Sequence, residues 1–296
     1  DEYTCADIVS TMNTLIVLFA GEMAGFALEP FAGGESAFLR SFRAAAMLPG
    51  ASRILVCTAR TRNNGFVLPG QDVLEKAVSG SGVAVPVTFH DENAWNPELF
   101  FSVIDREAGD AEQVSILFAD CPCIDTAFSA KLFSRHTQYA AEYTFADGYP
   151  AGLSPDILAR GIIPVLTRLA NGETGAVTRT VVFDTIKKDI NSFDIETDIA
   201  PRDVRQLRMT LACDTKQNTL VCESFADITA ENYAALVDER AVKLRTVPSF
   251  YGIQVAGGCP FSCTFCPYPG HSECDSEKSP GSEKSTWAAN RLTVAS

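Results

Sequence analysis

Between residue 14 and about residue 225, continuous apolar runs alternate with stretches of helical spacing, and nothing else in the chain constrains its fold as strongly. TLIVLFA (14–20) is apolar throughout and is followed by a glycine-punctuated loop over 21–34. SAFLRSFRAAAMLPG then repeats apolar residues at helical spacing and stops at Pro49 and Gly50. RILVCTA (53–59), GVAVPVTFH (82–90) and VSILFAD (114–120) read as further strands. QDVLEKAVSG, a segment starting near Pro97, and TAFSAKLFSRHTQYA (126–140) read as the helices among them. AEYTFAD, AVTRTVVFD and LRMTLACD supply later strands. A strand that is apolar on both faces must be covered on both faces, the condition of a mostly parallel sheet between two helical layers. The expectation is a three-layer α/β domain over residues 12–226, with ligands gathering at the carboxyl ends of its strands.

A second segment is expected over residues 227–270. ITAENYAALVDERAVKLRT reads as an amphipathic helix with Thr229 as N-cap, ended by Pro248. YGIQVAGG (251–258) reads as a strand running into a cysteine loop. Residues 1–11 precede the first methionine, Met12, and read as an extension. Residues 271–296, rich in Ser, Lys and Glu and without a period, read as a flexible or truncated tail.

Charge and cysteine usage narrow the function classes. A formal charge of −13 repels phosphates, so neither nucleic acid nor an anionic membrane is an expected partner. The apolar run 15–20 is far shorter than the ~20 residues of a membrane helix, and nothing basic precedes it. A cytoplasmic protein is expected. Of ten cysteines, Cys5, Cys57, Cys121, Cys123, Cys213 and Cys222 are scattered, as reduced thiols are, whereas Cys259, Cys263, Cys266 and Cys274 cluster. Clustering of this kind in a cytosolic protein points to metal.

Three thiolates within eight residues can converge on one inorganic centre. Structural zinc prefers two pairs of ligands, and neither His271 nor Cys274 stands at a common zinc spacing. Three cysteines on a [4Fe–4S] cluster leave the fourth iron open. A zinc knuckle and three reduced thiols are the competing readings. The segment Cys259-Pro-Phe-Ser-Cys263-Thr-Phe265-Cys266 resembles the radical SAM motif C-x3-C-x-aromatic-C. The resemblance implies a [4Fe–4S] cluster on Cys259, Cys263 and Cys266, with S-adenosylmethionine on the open iron and Phe265 beside its adenine. It also implies a reductant that supplies the electron for radical formation. On this reading the sequence stops before the rest of the barrel such a loop opens.

Four segments ahead of the loop, which open at PFAGGES, FADCPCID, YPAGLSP and LRMTLACD, together resemble the sugar-activating nucleotidyltransferases of GT-A type, most closely the cytidylyltransferase-like branch that makes CMP-activated acidic sugars. PFAGGESAFLRSFRAAAMLPGASRILVCTA looks like the family's opening segment, and FADCPCID (118–125) like its metal-aspartate segment G-D-x-P-x-I-D. YPAGLSPDIL (149–158) is similar to Y-P-x-G-L-D-V-E-V, and LRMTLACDTKQN (207–218) to R-L-T-V-D-T-P-E-D. Asp120 falls at the metal-aspartate position, as a surviving Mg2+ ligand or as a polar residue at a strand end. The chain departs from the family at Ser154, where an aspartate is expected, with Asp156 two places on. It departs again at 21–35, which holds Glu22, Glu29 and Glu35 and no Lys or Arg. His90 and His136 show no partner in the sequence, and Asp194, Glu196 and Asp198 read as a solvated turn.

The two resemblances together are similar to the spiro-SPASM group, in which a degenerate front domain precedes a radical SAM barrel. They imply an enzyme that modifies an unknown substrate, of peptide or protein class, with the front domain in recognition. The alternatives are a nucleotidyltransferase that makes a CMP- or other NDP-activated sugar, and a non-catalytic metal- or partner-binding module.

Overall fold

The computed structural model describes residues 12–60, 68–207 and 209–245. The chain divides between Val247 and Pro248 into two units, and every described residue belongs to the first. The expectations for 1–11 and for 248–296, including Cys259, Cys263, Phe265 and Cys266, lie outside the described residues.

Seven strands form one sheet: β1 (Thr14–Phe19), β2 (Ala51–Ala59), β3 (Val87–Glu92), β4 (Gln113–Phe118), β5 (Tyr143–Asp147), β6 (Asp156–Ala159) and β7 (Ile195–Ile199). Their order is β3-β2-β1-β4-β6-β5-β7, parallel throughout except that β6 runs antiparallel to β4 and β5. All six residues of β1 are buried, which is why that run is apolar on both faces.

Among the described residues, eight α-helices cover the sheet: α1 (Ala37–Ala46), α2 (Gln71–Ser79), α3 (Pro97–Ala108), α4 (Thr126–Gln138), α5 (Ile163–Leu169), α6 (Val181–Ile186), α7 (Lys216–Ser224) and α8 (Tyr233–Glu239). Phe38 and Phe42 of α1, Leu74 of α2 and Leu132 and Phe133 of α4 pack on one face with Ile16, Leu18 and Val56. Phe100 and Ile104 of α3, Leu166 of α5 and Val182 of α6 pack on the other with Leu15, Val17 and Leu55. The three-layer α/β expectation holds. From β1 the chain moves outward through β2 and β3, then returns on the opposite face through α3 to place β4 on the other side of β1. Because crossovers are right-handed, this reversal leaves a crevice above the carboxyl ends of β1 and β4.

Side-chain caps start several helices where the sequence turns polar. Ser36, Asn96, Asp125 and Thr215 accept hydrogen bonds from the backbone amides of Leu39 at 3.3 Å, Leu99 at 2.8 Å, Phe128 at 2.9 Å and Asn218 at 3.1 Å, respectively.

Four expectations are corrected. AVTRTVVFD is no strand: its β-branched residues favour one, but Val181, Val182, Thr185 and Ile186 are buried at helical spacing and the segment folds into α6. LRMTLACD supplies no strand among the described residues: Leu207 ends the 3-10 turn Arg205–Leu207, and Thr210 makes an isolated bridge to Ala151. The polar segment around Glu196 is not a solvated turn but β7, paired with β5; at the outer end of the sheet a strand needs few apolar residues. The segment from 227 does not start a separate unit. Tyr233, Leu236 and Val237 of α8 are buried in the first core, and Thr229 caps reciprocally with Asn232 before the helix begins.

Candidate functional site

The crevice is floored by the ends of β1 and β4. Phe118 is the last residue of β4, and Asp120 follows it, 4% exposed. The extended 210–213 segment runs beside it: Cys213 N–H donates to the Asp120 carbonyl at 2.8 Å, and Leu211 N–H to that of Ala151 at 2.8 Å. These two bonds bring Asp214 next to Asp120. Asn218, in the first turn of α7, donates its side-chain amide to Asp214 at 2.7 Å and so holds that carboxylate in place. Gly152 lets the 148–155 loop pass close by. Its φ is +92°, and a Cβ there would stand 2.7 Å from the Leu211 carbonyl oxygen.

One cation serves both carboxylates. Arg179, just ahead of α6, donates from Nη2 to Asp120 Oδ2 at 2.7 Å, and the same nitrogen lies 3.7 Å from Asp214 Oδ2. Its Nη1 donates to Cys121 Sγ at 3.1 Å, and the guanidinium carbon sits 5.0 Å from the centre of the Phe118 ring. Desolvation opposes the Arg179 charge, yet the carboxylates of Asp120 and Asp214 hold its pKa above the usual arginine value. Burial pushes the Cys121 thiol up, so it stays a neutral thiol despite the guanidinium beside it.

Arg179 borders two cavities. The smaller, about 220 Å3, is lined by Phe19, Glu22, Met23, Asp120 and Asp214 among others. The larger, about 550 Å3, extends under the 147–156 loop and is lined by Phe118, Tyr143, Phe145, Tyr149 and Phe183, with Ser154, Asp156 and Arg205. Tyr143 and Phe145 stack at 4.9 Å, and Phe183 meets Phe145 at 5.7 Å. Tyr143 Oη donates to Asp156 Oδ1 at 2.8 Å. Burial raises the Asp156 pKa to about 6, and the tyrosine bond only partly counters it. Arg205 is committed to Asp147 at 2.9 Å and to Asp203.

Asp120 therefore lies where the sequence placed it, at the carboxyl end of a central strand, and its carboxylate is engaged by an arginine. Asp156, expected on another strand face or at a helix start, is the first residue of β6 and lines the larger cavity together with Ser154. Of the three glutamates of the 21–35 loop, Glu22 alone lines either of these two cavities. Glu35 pairs with Arg43 of α1 at 2.9 Å, and Glu29 is exposed. Both histidines have partners. His90 meets Glu92 at 3.0 Å, and buried His136 meets Thr144 at 2.8 Å. Asp198 is buried, accepts from Tyr149 at 2.9 Å and pairs with Lys131 at 3.2 Å. Arg179 and Asp214 were not singled out, although the LACDTKQN resemblance already contained Asp214. No motif marks Arg179, because its role depends on where α6 begins.

A divalent cation, implied by the resemblance to nucleotidyltransferases, does not fit this arrangement. Both carboxylates that could hold it already share Arg179, and among the described residues no group of three or more His, Cys, Asp or Glu side chains is placed to bind a metal. Also among the described residues, no helix is long and apolar enough to cross a membrane.

Solved structures show this to be a cytidylyltransferase-like nucleotidyltransferase fold. A cytidylyltransferase from Leptospira borgpetersenii serovar Hardjo-bovis (strain JB197) superposes with a TM-score of 0.59 at 13% identity, covering 81% of this chain and 99% of its own. 4-Diphosphocytidyl-2C-methyl-D-erythritol synthase from Anaerococcus prevotii DSM 20548 gives 0.53 at 9% identity, covering 75% and 99%. At such identities the likeness is one of fold. Two uncharacterized proteins of Treponema pallidum (strain Nichols) are 49% identical over 86 residues and 50% identical over 58, which is 29% and 20% of this chain. The matches cover 24% and 26% of those proteins, so the chain spans about a quarter of the curated relatives it matches. No protein-family model matches the chain.

Proposed function

We propose that residues 12–245 are a ligand-binding domain built on the cytidylyltransferase-like fold, taking a nucleotide or a nucleotide-activated sugar into the crevice between β1 and β4. The observation that carries this reading is the pair of adjoining cavities, about 220 and 550 Å3, at the carboxyl edge where such folds bind ligands. Aromatic rings in the larger cavity offer stacking surface, while Arg179 offers a charged donor to both. Titration of the chain with CMP, CTP and a CMP-activated acidic sugar tests it. A saturable rise in melting temperature with at least one, lost when Phe118 or Tyr143 is replaced by Ala in a folded variant, supports the proposal. No response to any of them removes it.

A second reading, an active nucleotidyltransferase, is favoured by the fold and by the side-by-side placement of Asp120 and Asp214. Pyrophosphate release from CTP in the presence of Mg2+ and an acidic sugar distinguishes the two. The binding reading expects none. Turnover that disappears in Asp120→Ala would establish the second.

For the loop 259–266 we keep the proposal its resemblance implies. Cys259, Cys263 and Cys266 hold a [4Fe–4S] cluster that binds S-adenosylmethionine next to Phe265, for radical modification of a peptide or protein substrate with a separate reductant. When bound, the cluster supplies one-electron chemistry that protein side chains lack. Anaerobic reconstitution with iron and sulfide should give a chain whose cluster absorbance is lost in Cys259→Ala, Cys263→Ala and Cys266→Ala and kept in Cys57→Ala. Zinc uptake without iron or sulfide would overturn this part and leave the domain proposal untouched.

A further inference from the structure

We infer that Arg179 is a built-in cation that neutralises Asp120 and Asp214 in place of a divalent metal ion and keeps the pair from loading one. Two carboxylates held side by side above the carboxyl ends of β1 and β4 repel each other and need a positive charge between them. A metal ion would supply that charge at millimolar concentration and bring coordination sites for phosphate oxygens. Arg179 supplies it permanently. Its Nη2 is 2.7 Å from Asp120 and 3.7 Å from Asp214, its Nη1 donates to Cys121 Sγ at 3.1 Å, and the guanidinium lies against the face of Phe118. Two independent restraints fix the guanidinium, one polar and one aromatic, so displacing it breaks both.

A tethered guanidinium differs from a metal in three respects. It presents donors in one plane, has no open coordination position, and its charge does not depend on cation concentration. A ligand in the adjoining cavities is then met by hydrogen-bond donors and no Lewis acid, an arrangement suited to binding anionic oxygens without activating them. Binding in this crevice is expected to be independent of Mg2+.

Mn2+ titration followed by electron paramagnetic resonance reads the site directly, so a chain that takes no nucleotide still decides the question. The full chain is compared with Arg179→Ala, with Arg179→Met, which keeps an apolar stem over Phe118, and with Asp120→Asn. The wild type should bind Mn2+ no more tightly than Asp120→Asn. Either Arg179 variant should bind it about tenfold more tightly or better, and adding Asp120→Asn to that variant should abolish the gain. Wild-type Mn2+ binding as tight as the arginine variants' and lost in Asp120→Asn would overturn the inference, because the arginine then yields to metal. A folded Arg179→Met with no gain would overturn it as well, because the carboxylates then form no cation site. Circular dichroism identifies which variants are folded, and the methionine variant serves if alanine collapses the crevice.

Discussion

Asp120 and Arg179 make a pair of unequal exposure, the carboxylate buried and the arginine side chain 25% exposed. Asp120→Asn leaves the guanidinium with Asp214 and water, so the loss should be about 1–3 kcal/mol, less than for a sealed ion pair. Urea unfolding measures it. Two other residues shape the acid side of the stability curve with opposite signs. Burial lowers the His136 pKa to about 4 from 6.5, so its contribution is present above the unfolded value and lost as pH falls toward 4. Asp156 is raised to about 6 from 3.8, so its contribution is full below the unfolded value and lost as pH rises through 6. The two nearly oppose each other across that window, and single variants separate them. The melting temperature of Asp156→Asn should rise relative to wild type between about pH 4 and 7. That of His136→Asn, whose amide can still reach Thr144, should fall less steeply than wild type over the same range in acid. Parallel curves for wild type and either variant would contradict the assignment.

At the scale of elements, one carboxylate ties two parts of the first core together. Asp125 Oδ1 caps α4 through the Phe128 amide at 2.9 Å, and Oδ2 accepts from the Ala230 amide at 2.9 Å, fixing the approach to α8. Asp125→Ala should therefore cost about 2 kcal/mol, a cap plus a tertiary bond, whereas Ser36→Ala, which loses only a cap, should cost about 1. Equal losses in urea unfolding would show that the bond to Ala230 contributes nothing. The 148–155 loop depends on left-handed glycines at 148 and 152, and Gly152 is the more tightly enclosed. Gly152→Ala would combine a left-handed φ with a clash against the Leu211 carbonyl, and should destabilise by more than about 2 kcal/mol while lowering ligand affinity in the larger cavity.

Across the whole described domain, the reversal of strand order between β1 and β4 produces the crevice, and each crossover before and after it covers the face that the strands require. Neither cavity rests on a single element. β4 supplies Phe118, the loop after it Asp120, β6 Asp156, α6 Phe183, and the extended 210–213 segment leads to Asp214. A crevice assembled from segments as far apart in the chain as Phe19 and Asp214 is formed only when both helical layers are in place. Ligand protection should therefore appear as a single cooperative shift of the melting transition, and separate transitions for the β1–β4 half and the β5–β7 half would contradict this.

By itself the sequence determined the class of fold and the position of a carboxylate at the carboxyl edge of its sheet. Runs such as TLIVLFA and VSILFAD are apolar on both faces, and only burial between two layers accommodates them, so Asp120 at the end of one must stand at a carboxyl edge. The helices after Ser36, Asn96 and Asp125 were legible for a related reason, since apolar residues at helical spacing mark a buried face, whereas the helix Lys216–Ser224, capped by Thr215, carries few apolar residues and was not read. What the tertiary structure alone decided is which distant groups meet. Arg179 lies 59 residues from Asp120, in a stretch whose β-branched residues read as a strand, and only the packing of Val181, Val182 and Ile186 made it a helix and set the arginine at the crevice. β7 was hidden because a strand at the outer end of the sheet carries polar residues that resemble a loop. Local spacing records burial and capping, which depend on neighbours in the chain. It does not record the partner of a charge, which depends on where the sheet brings the chain back.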